Sequence, residues 1–335
     1  MKNRLNNWLQ RIWYQRTSPP VLLRPLSHLF RHIVLKRRAW YGAHPEAARR
    51  LPVPVIVIGN LSVGGTGKTP LVIWMARFLT QAGYRPGIVS RGYGVRLRQP
   101  LLVTAEFDPA QAGDEPVLIA QKTACPVSVF PDRARAADVL LAAGCDLIIS
   151  DDGMQHYRMA RDIEIALIDG DRRLGNGACL PGGPLREPVE RLDSVDFVVC
   201  NGGQAQPGEY PMLVTGSTAV NLANETVTRP LAAFQGEKLL ALAAIGNPQR
   251  FFNSLQETGL TFAAKVLPDH HAFVASDVEQ ENGITVLMTE KDAVKCRKFN
   301  SSALWYVPVE AELPIAFGDR VLDSLKKITK VKQNG

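Results

Sequence analysis

The apolar positions of this chain recur with a helical period at first and then in short β-branched runs, and the change of spacing marks a change of architecture. Leu5, Trp8, Leu9, Ile12 and Trp13 fall at i, i+3, i+4, i+7 and i+8, one stripe of a helix, with Arg4, Asn7, Gln10, Arg11 and Gln15 on its other side. A break near Ser18-Pro19-Pro20 precedes a second stripe, Leu26, Leu29, Phe30 and Ile33, flanked by Arg31, Lys36, Arg37 and Arg38. From Val53 onward, runs at 53–58, 86–90, 126–130, 146–150, 164–169 and 197–200 read as buried strands. Helical segments at 69–82, 115–123 and 133–143 lie between them. Strands alternating with helices in this way predict a parallel sheet covered on both faces.

Gly, Gln and Pro then crowd residues 202–211, where a linker is expected. A second, smaller α/β unit follows, with strands at 239–245, 262–266 and 284–288 and a helix at 248–258. The expected organisation is therefore a membrane-contacting helical segment over 1–50 and a nucleotide-binding α/β domain over 51–205. A linker over 206–232 and the smaller α/β domain over 233–335 complete it, and segment 317–328 is a candidate to pack back on the first domain.

Charge sharpens the reading of the N-terminus. The first fifty residues hold eleven Lys or Arg and one acid, Glu46, a balance of +10, so the remaining 285 residues of the +7 chain sum to −3. Tryptophans on an apolar face with cations beside them suit an interfacial helix at anionic lipid. The alternative is a helix packed on its own domain with a solvated basic face. A nucleic-acid footprint spread over the fold is disfavoured by the slightly acidic remainder. Five scattered cysteines with no CxxC spacing suit buried thiols in a reducing compartment rather than a disulfide framework or a zinc site. No run reaches the ~18–20 apolar residues of a spanning helix, and no secretory signal is visible, so a protein neither exported nor spanning is expected.

Chemistry concentrates in two places. Gly64-Gly65-Thr66-Gly67-Lys68-Thr69 follows the strand at 53–58 and opens a helix. Such a turn aims backbone N–H groups at a phosphate chain, Lys68 reaches the β- and γ-phosphates, and Thr69 can ligate Mg²⁺. The general P-loop pattern has glycine where this chain has Ser62. Downstream, the apolar strand of Asp146-Leu147-Ile148-Ile149-Ser150 ends in Asp151-Asp152, where a P-loop fold holds its metal-binding carboxylate. Either acid is a candidate ligand, the other being left for nucleotide or substrate.

In combination these motifs resemble the tetraacyldisaccharide 4'-kinase family, the lipid A kinases of Gram-negative bacteria. The matching stretches run in order: Gly59-Asn60-Leu61 through Gly64 to Pro70, Ser90-Arg91-Gly92-Tyr93-Gly94, Gly113-Asp114-Glu115-Pro116 and Asp151-Asp152-Gly153-Met154-Gln155-His156. Leu180 to Glu187, Ile245-Gly246-Asn247-Pro248, Pro268-Asp269-His270-His271 and Thr289-Glu290-Lys291-Asp292 continue the series. Ser62 is similar to the family, while Met154 and Gly183 stand where Phe and Ala are expected. The resemblance implies a P-loop NTPase-like fold and transfer of the ATP γ-phosphoryl group, with Mg²⁺, to the 4'-hydroxyl of a tetraacylated glucosamine disaccharide 1-phosphate, giving lipid IVA. It implies a peripheral protein at the cytoplasmic face of the inner membrane, with no protein partner. It also points to Asp114 as general base tuned by His270. From the residues alone, Asp114 is an acid entering a helix and His270 an imidazole beside His271. Arg91, Arg133 and Arg186, with Gln155 and His156, are candidates to bind substrate. A P-loop ATPase acting as a membrane switch, or a soluble small-molecule kinase or ligase, are the competing readings.

Overall fold

The computed structural model describes residues 2–92, 95–279 and 283–334, with side chains from Trp8 to Lys332. Leu5 of the first expected stripe, Arg4 and Asn7 of its other side, and Tyr93 and Gly94 of the Ser90–Gly94 motif, lie outside the described side chains or residues. The two N-terminal pieces form α1 (Lys2–Gln15) and α2 (Arg24–Ala43), and Pro25 occupies the first turn of α2, where its missing N–H costs nothing.

The alternating region folds as expected, with ends shifted by a residue or two. It runs β1 (Val55–Gly59), α3 (Lys68–Gln81), β2 (Pro86–Ser90), β3 (Leu101–Val103), α4 (Pro109–Ala112) and α5 (Asp114–Thr123). Then come β4 (Val127–Val129), α6 (Arg133–Ala142), β5 (Leu147–Asp151), β6 (Ile163–Asp169), β7 (Phe197–Asn201) and β8 (Glu209–Thr215). These strands join a later one, β15 (Glu310–Glu312), in a nine-stranded sheet ordered β15-β8-β7-β6-β1-β5-β2-β4-β3 among the described residues. All neighbours from β8 to β4 run parallel, and the short edge strands β15 and β3 are antiparallel. The central strands are buried along their whole length, as a parallel sheet with two covered faces requires. One core joins the sheet to α3 and α5, and a second fills the opposite face under α6. Because β1 and β5 are neighbours with Ile58 opposite Asp151, the turn after β1 and the acids at the end of β5 meet at the same carboxyl edge.

The stretch expected as a linker, 206–232, is instead largely strand. Its first part is β8, its later parts are β9 (Thr218–Asn221) and β10 (Thr228–Pro230). Pro211, in the Gly-, Gln- and Pro-rich stretch, stands opposite Cys200 of β7 and outside the Leu213–Thr215 stretch that β15 pairs. The smaller sheet is ordered β10-β9-β14-β13-β11-β12 among the described residues. Its remaining elements are β11 (Lys238–Ala243), α7 (Pro248–Glu257), β12 (Ala263–Val266), α8 (Ala275–Val278), β13 (Ile284–Thr289), α9 (Glu290–Cys296) and β14 (Leu304–Val307).

The chain then returns through β15 to α10 (Ile315–Asn334), whose Phe317, Val321 and Leu325 are buried in the core of the large sheet. Across the junction α9 lies against α5, tied by Lys122–Glu290 at 2.9 Å and Lys291–Glu115 at 2.8 Å. All five cysteines are buried and unpaired. No described helix is long and apolar enough to cross a membrane.

One reading of the N-terminus is corrected. Ile12 and Trp13 belong to the interior, at 3% and 7% exposure, and the indole N–H of Trp13 donates to the Pro181 carbonyl at 2.9 Å. That end of the first stripe is a docking face on the domain and is not available to lipid. The exposed apolar surface is carried by Trp8, by Val21 and Leu22, and by Leu26, Leu29 and Ile33 of α2.

Candidate active site

The glycine-rich loop after β1 is held open from behind by two asparagines. Gly67 caps α3 at φ +93°, a left-handed conformation that L side chains rarely adopt. A Cβ there would collide with the amide of Asn201, which donates from Nδ2 to the Thr66 carbonyl at 2.8 Å. Asn60, fully buried at the end of β1, donates to the Ser62 carbonyl at 2.6 Å and accepts from Lys68 Nζ at 3.1 Å. On the far side, Gly65 meets the backbone of Gly246 and Asn247 from the smaller domain so closely that a Cβ on Gly246 would strike the Gly65 nitrogen. Thr66 is buried with its hydroxyl unpartnered, and Thr69 stands in the first turn of α3.

Lys68 connects this loop to the acids: its Nζ lies 3.7 Å from Asp152. Asp152 sits at φ +48° and accepts from Arg186 at 3.0 and 3.1 Å. Burial opposes its charge, but Lys68 and Arg186 outweigh burial and hold the carboxyl down to about 2. Asp151 behaves oppositely. It is the last residue of β5 rather than a turn residue beyond it, it is 2% exposed, and it accepts from Ser90 Oγ at 3.2 Å. Burial, with Glu115 and Asp152 nearby, pushes it up to about 7.

Asp114 opens α5 after Gly113 and is 6% exposed. Its carboxylate meets Nδ1 of His270, from the smaller domain, at 3.0 and 3.1 Å, and Lys295 Nζ of α9 at 3.4 Å. Burial opposes ionisation of Asp114, yet the His270 hydrogen bond and the charges of Lys291 and Lys295 hold its carboxyl well below the carboxylate range. His270 is raised in turn, chiefly by that hydrogen bond. Lys291 binds Glu115 and stands 3.5 Å from Asp269, and despite burial these acids keep it protonated far above the ordinary lysine range. His271 turns away to Asp277 at 2.8 Å, so the two adjacent imidazoles are separated by their partners.

A cleft of about 530 Å³ runs between these groups and α2. Arg91, Asp114, Asp151, Asp152, Gln155 and Arg186 line its chemical end, and Phe30, Ile33 and Val34 its apolar wall. Of the five substrate candidates, two are not on this lining, and neither are His270, Lys68 and Thr69. Arg133 is 4% exposed and donates to the Asp151 and Asp152 carbonyls at 3.3 and 2.8 Å, so it pins the strand end from behind. His156 has a buried, unpartnered Nε2 and is pushed down to about 4, first by burial and then by Arg133. Sequence reasoning overlooked Asn60, Asn201, Lys291 and Lys295. Their signal was present as asparagines ending apolar strands, and as lysines in the Thr289–Asp292 motif and one turn beyond it.

The family model described as tetraacyldisaccharide-1-P 4'-kinase matches residues 20–326. A tetraacyldisaccharide 4'-kinase of Nitrosococcus oceani is 49% identical over 97% of this chain and 96% of its own length. One from Methylobacillus flagellatus is 45% identical over 98% of each. Among solved structures, LpxK from Aquifex aeolicus, described as an "apo" form in complex with ATP, is similar with a TM-score of 0.75 and 27% identity, covering 90% of this chain and 98% of that one.

Proposed function

Given that the chain belongs to the tetraacyldisaccharide-1-P 4'-kinase family, we propose that the cleft between α2 and the carboxyl edge of the large sheet is the site of phosphoryl transfer, with Asp114 as general base. The protein is an ATP-dependent kinase that phosphorylates the 4'-hydroxyl of tetraacyldisaccharide 1-phosphate, the step that forms lipid IVA in lipid A biosynthesis. The observation that carries the assignment is the Asp114–His270 pair, whose carboxylate lines one cleft with Asp151 and Asp152, while Lys68 stands 3.7 Å from Asp152.

Phosphoryl transfer depends on positioning and charge neutralisation more than on covalent chemistry. Gly64 to Gly67 would present N–H groups to the phosphates, and Lys68 would leave Asp152 for the β/γ-phosphate oxygens. An ionised Asp114 accepts the 4'-hydroxyl proton as the oxygen attacks the γ-phosphorus and the bond to the β,γ-bridging oxygen breaks, releasing ADP. His270 orients that carboxylate and shares the proton. Arg186, whose Nη1 already donates to both Asp152 oxygens, is placed for charge on the transferring group.

The donor set fits Mg²⁺. Asp151, Asp152 and the Thr69 hydroxyl are hard oxygen donors, and Asp151 is pushed up to about 7 first by burial and then by Glu115 and Asp152, a cost that a divalent cation would relieve. Bound there, the ion would neutralise charge on the phosphates. The described residues form no cage of three His, Cys, Asp or Glu, so ATP phosphates and water would complete the coordination.

The substrate's acyl chains keep it in a bilayer, and the enzyme has to meet it there. Leu22 is 88% exposed, and Leu26, Leu29 and Ile33 are each more than half exposed, on the same helix that walls the cleft. Inserting such side chains into the acyl boundary contributes about 1.5–3 kcal/mol each. Together with the basic N-terminus they suit peripheral attachment to the anionic cytoplasmic face of the inner membrane.

A micelle assay with γ-labelled ATP, Mg²⁺ and tetraacyldisaccharide 1-phosphate tests the reading, comparing the intact chain with Lys68→Ala. Label should enter the lipid only with Lys68 present. ATP hydrolysis without labelled lipid would favour a membrane-bound ATPase switch instead.

A further inference from the structure

The cations of α2 are not equivalent. Arg31 pairs with Glu190 at 2.9 Å, and Arg38 donates to Ser194 Oγ at 2.8 Å. Arg37 enters no side-chain hydrogen bond or ion pair among the described residues. It lines the same cleft as Asp114, with its guanidinium carbon 5.8 Å from the centroid of the Tyr157 ring. Tyr157 is a fixed platform. Its hydroxyl donates to Glu187 Oε1 at 2.6 Å, and its ring stacks on Tyr41 at 5.6 Å and 24°. A guanidinium laid on an aromatic face keeps its edge N–H groups free for a bidentate anion.

Position along the wall gives this free cation a meaning. Phe30, Ile33, Val34 and Arg37 recur at i, i+3, i+4 and i+7, so the cleft face of α2 is apolar and then ends in a charge. The rise from Phe30 to Arg37 is about 10 Å. Arg186, at the chemical end, already pairs with Asp152, and Arg91 adjoins Ser90, which bonds Asp151, so both stand beside the acids rather than at the far end of the wall. The substrate of this family carries its own phosphate at position 1, on the sugar that is not phosphorylated at 4'. That anion has to lie away from Asp114, across the disaccharide from the attacking hydroxyl.

We propose that Arg37, resting on Tyr157, is a specificity-determining residue that grips the 1-phosphate of the lipid substrate and so sets which end of the disaccharide reaches Asp114. The inference rests on the kinase reading above. An anionic lipid headgroup offers the same phosphate chemistry, and the experiment separates the two sources.

Arg37→Met and Arg37→Lys are assayed in neutral-detergent micelles with tetraacyldisaccharide 1-phosphate and with its 1-hydroxyl analogue. The intact enzyme should prefer the 1-phosphate through KM. In Arg37→Met the KM for the 1-phosphate should rise roughly 10- to 100-fold, the loss of a charged bidentate contact, with kcat nearly kept. KM for the analogue should not follow, so the preference collapses. Arg37→Lys should recover part of it, since the charge remains without the fork. An equal loss on both substrates, accompanied by loss of binding to anionic phosphatidylglycerol vesicles, would assign Arg37 to the headgroups and overturn the proposal. Unchanged KM on both would overturn it as well. If the intact enzyme phosphorylated neither lipid, the kinase reading itself would fall, independently of any Arg37 variant.

Discussion

His270 Nδ1 lies 3.0 Å from Asp114 Oδ1, joining side chains 156 positions apart and carried by different domains. Each group shifts the other: the imidazole is held above its ordinary 6.5 and the carboxyl below its ordinary 3.8. The raised imidazole stabilises the fold fully below pH 6.5, and this contribution fades as pH rises through its folded pKa. The depressed carboxyl contributes above about pH 3.9, and that part is lost as pH falls through its own folded value. In Asp114→Asn the His270 titration followed by NMR should move down, because burial and Lys291 then act without their counterweight. An unmoved midpoint would mean that the pair does not interact in solution.

Gly67 and Gly64 both have positive φ, but only Gly67 is crowded by Asn201. Gly64→Ala should cost the backbone strain alone, about 1–3 kcal/mol. Gly67→Ala should cost more, since Asn201 must also leave the Thr66 carbonyl, and should lose most of the stabilisation that ATP gives. Thermal melts with and without ATP compare them, and equal losses would contradict the crowding argument.

Arg191 is buried with two acids. It donates to both Glu164 oxygens at 2.6 Å and stands 3.0 Å from Glu187. Arg191→Met leaves those carboxylates uncompensated under β6 and should destabilise by about 3–5 kcal/mol in urea unfolding. A change below about 1 kcal/mol would show that Arg161 and Tyr157, which also bond these acids, suffice.

Phe317 anchors α10 to the large sheet, fully buried against Trp74, Phe197 and Tyr210. Phe317→Ala should cost about 3–5 kcal/mol, measured the same way. A neutral result would mean that the return of the C-terminal helix is dispensable to the first domain.

The glycine-rich loop proposed to hold the nucleotide is legible in the sequence because such a cradle is made of consecutive residues, and Lys68 needs only Gly67 before it and a helix after it. Asp151 and Asp152 are legible because they end an apolar run. Nothing in periodicity relates Asp114 to His270, and the family motifs supply that link. Amphipathic spacing gives α1 a face but not the partner of that face, so Ile12 and Trp13 read as lipid-facing although Pro181 and Asn176 hold them. Composition misleads at 206–232, where Gly, Gln and Pro conceal β8, whose place comes from pairing with β7 and β15. Asn60 and Asn201 act through backbone carbonyls of the loop they support, a role that no spacing rule marks.

The central claim is that Asp114 takes the proton of the 4'-hydroxyl, and single-turnover kinetics of Asp114→Asn in substrate micelles test it most directly. Asn keeps the shape and removes the base, so phosphoryl transfer should slow by roughly 10²- to 10⁴-fold while ATP binding stays close to that of the intact enzyme. Transfer within a fewfold of the intact rate would contradict the account and return the role of base to another group in the cleft.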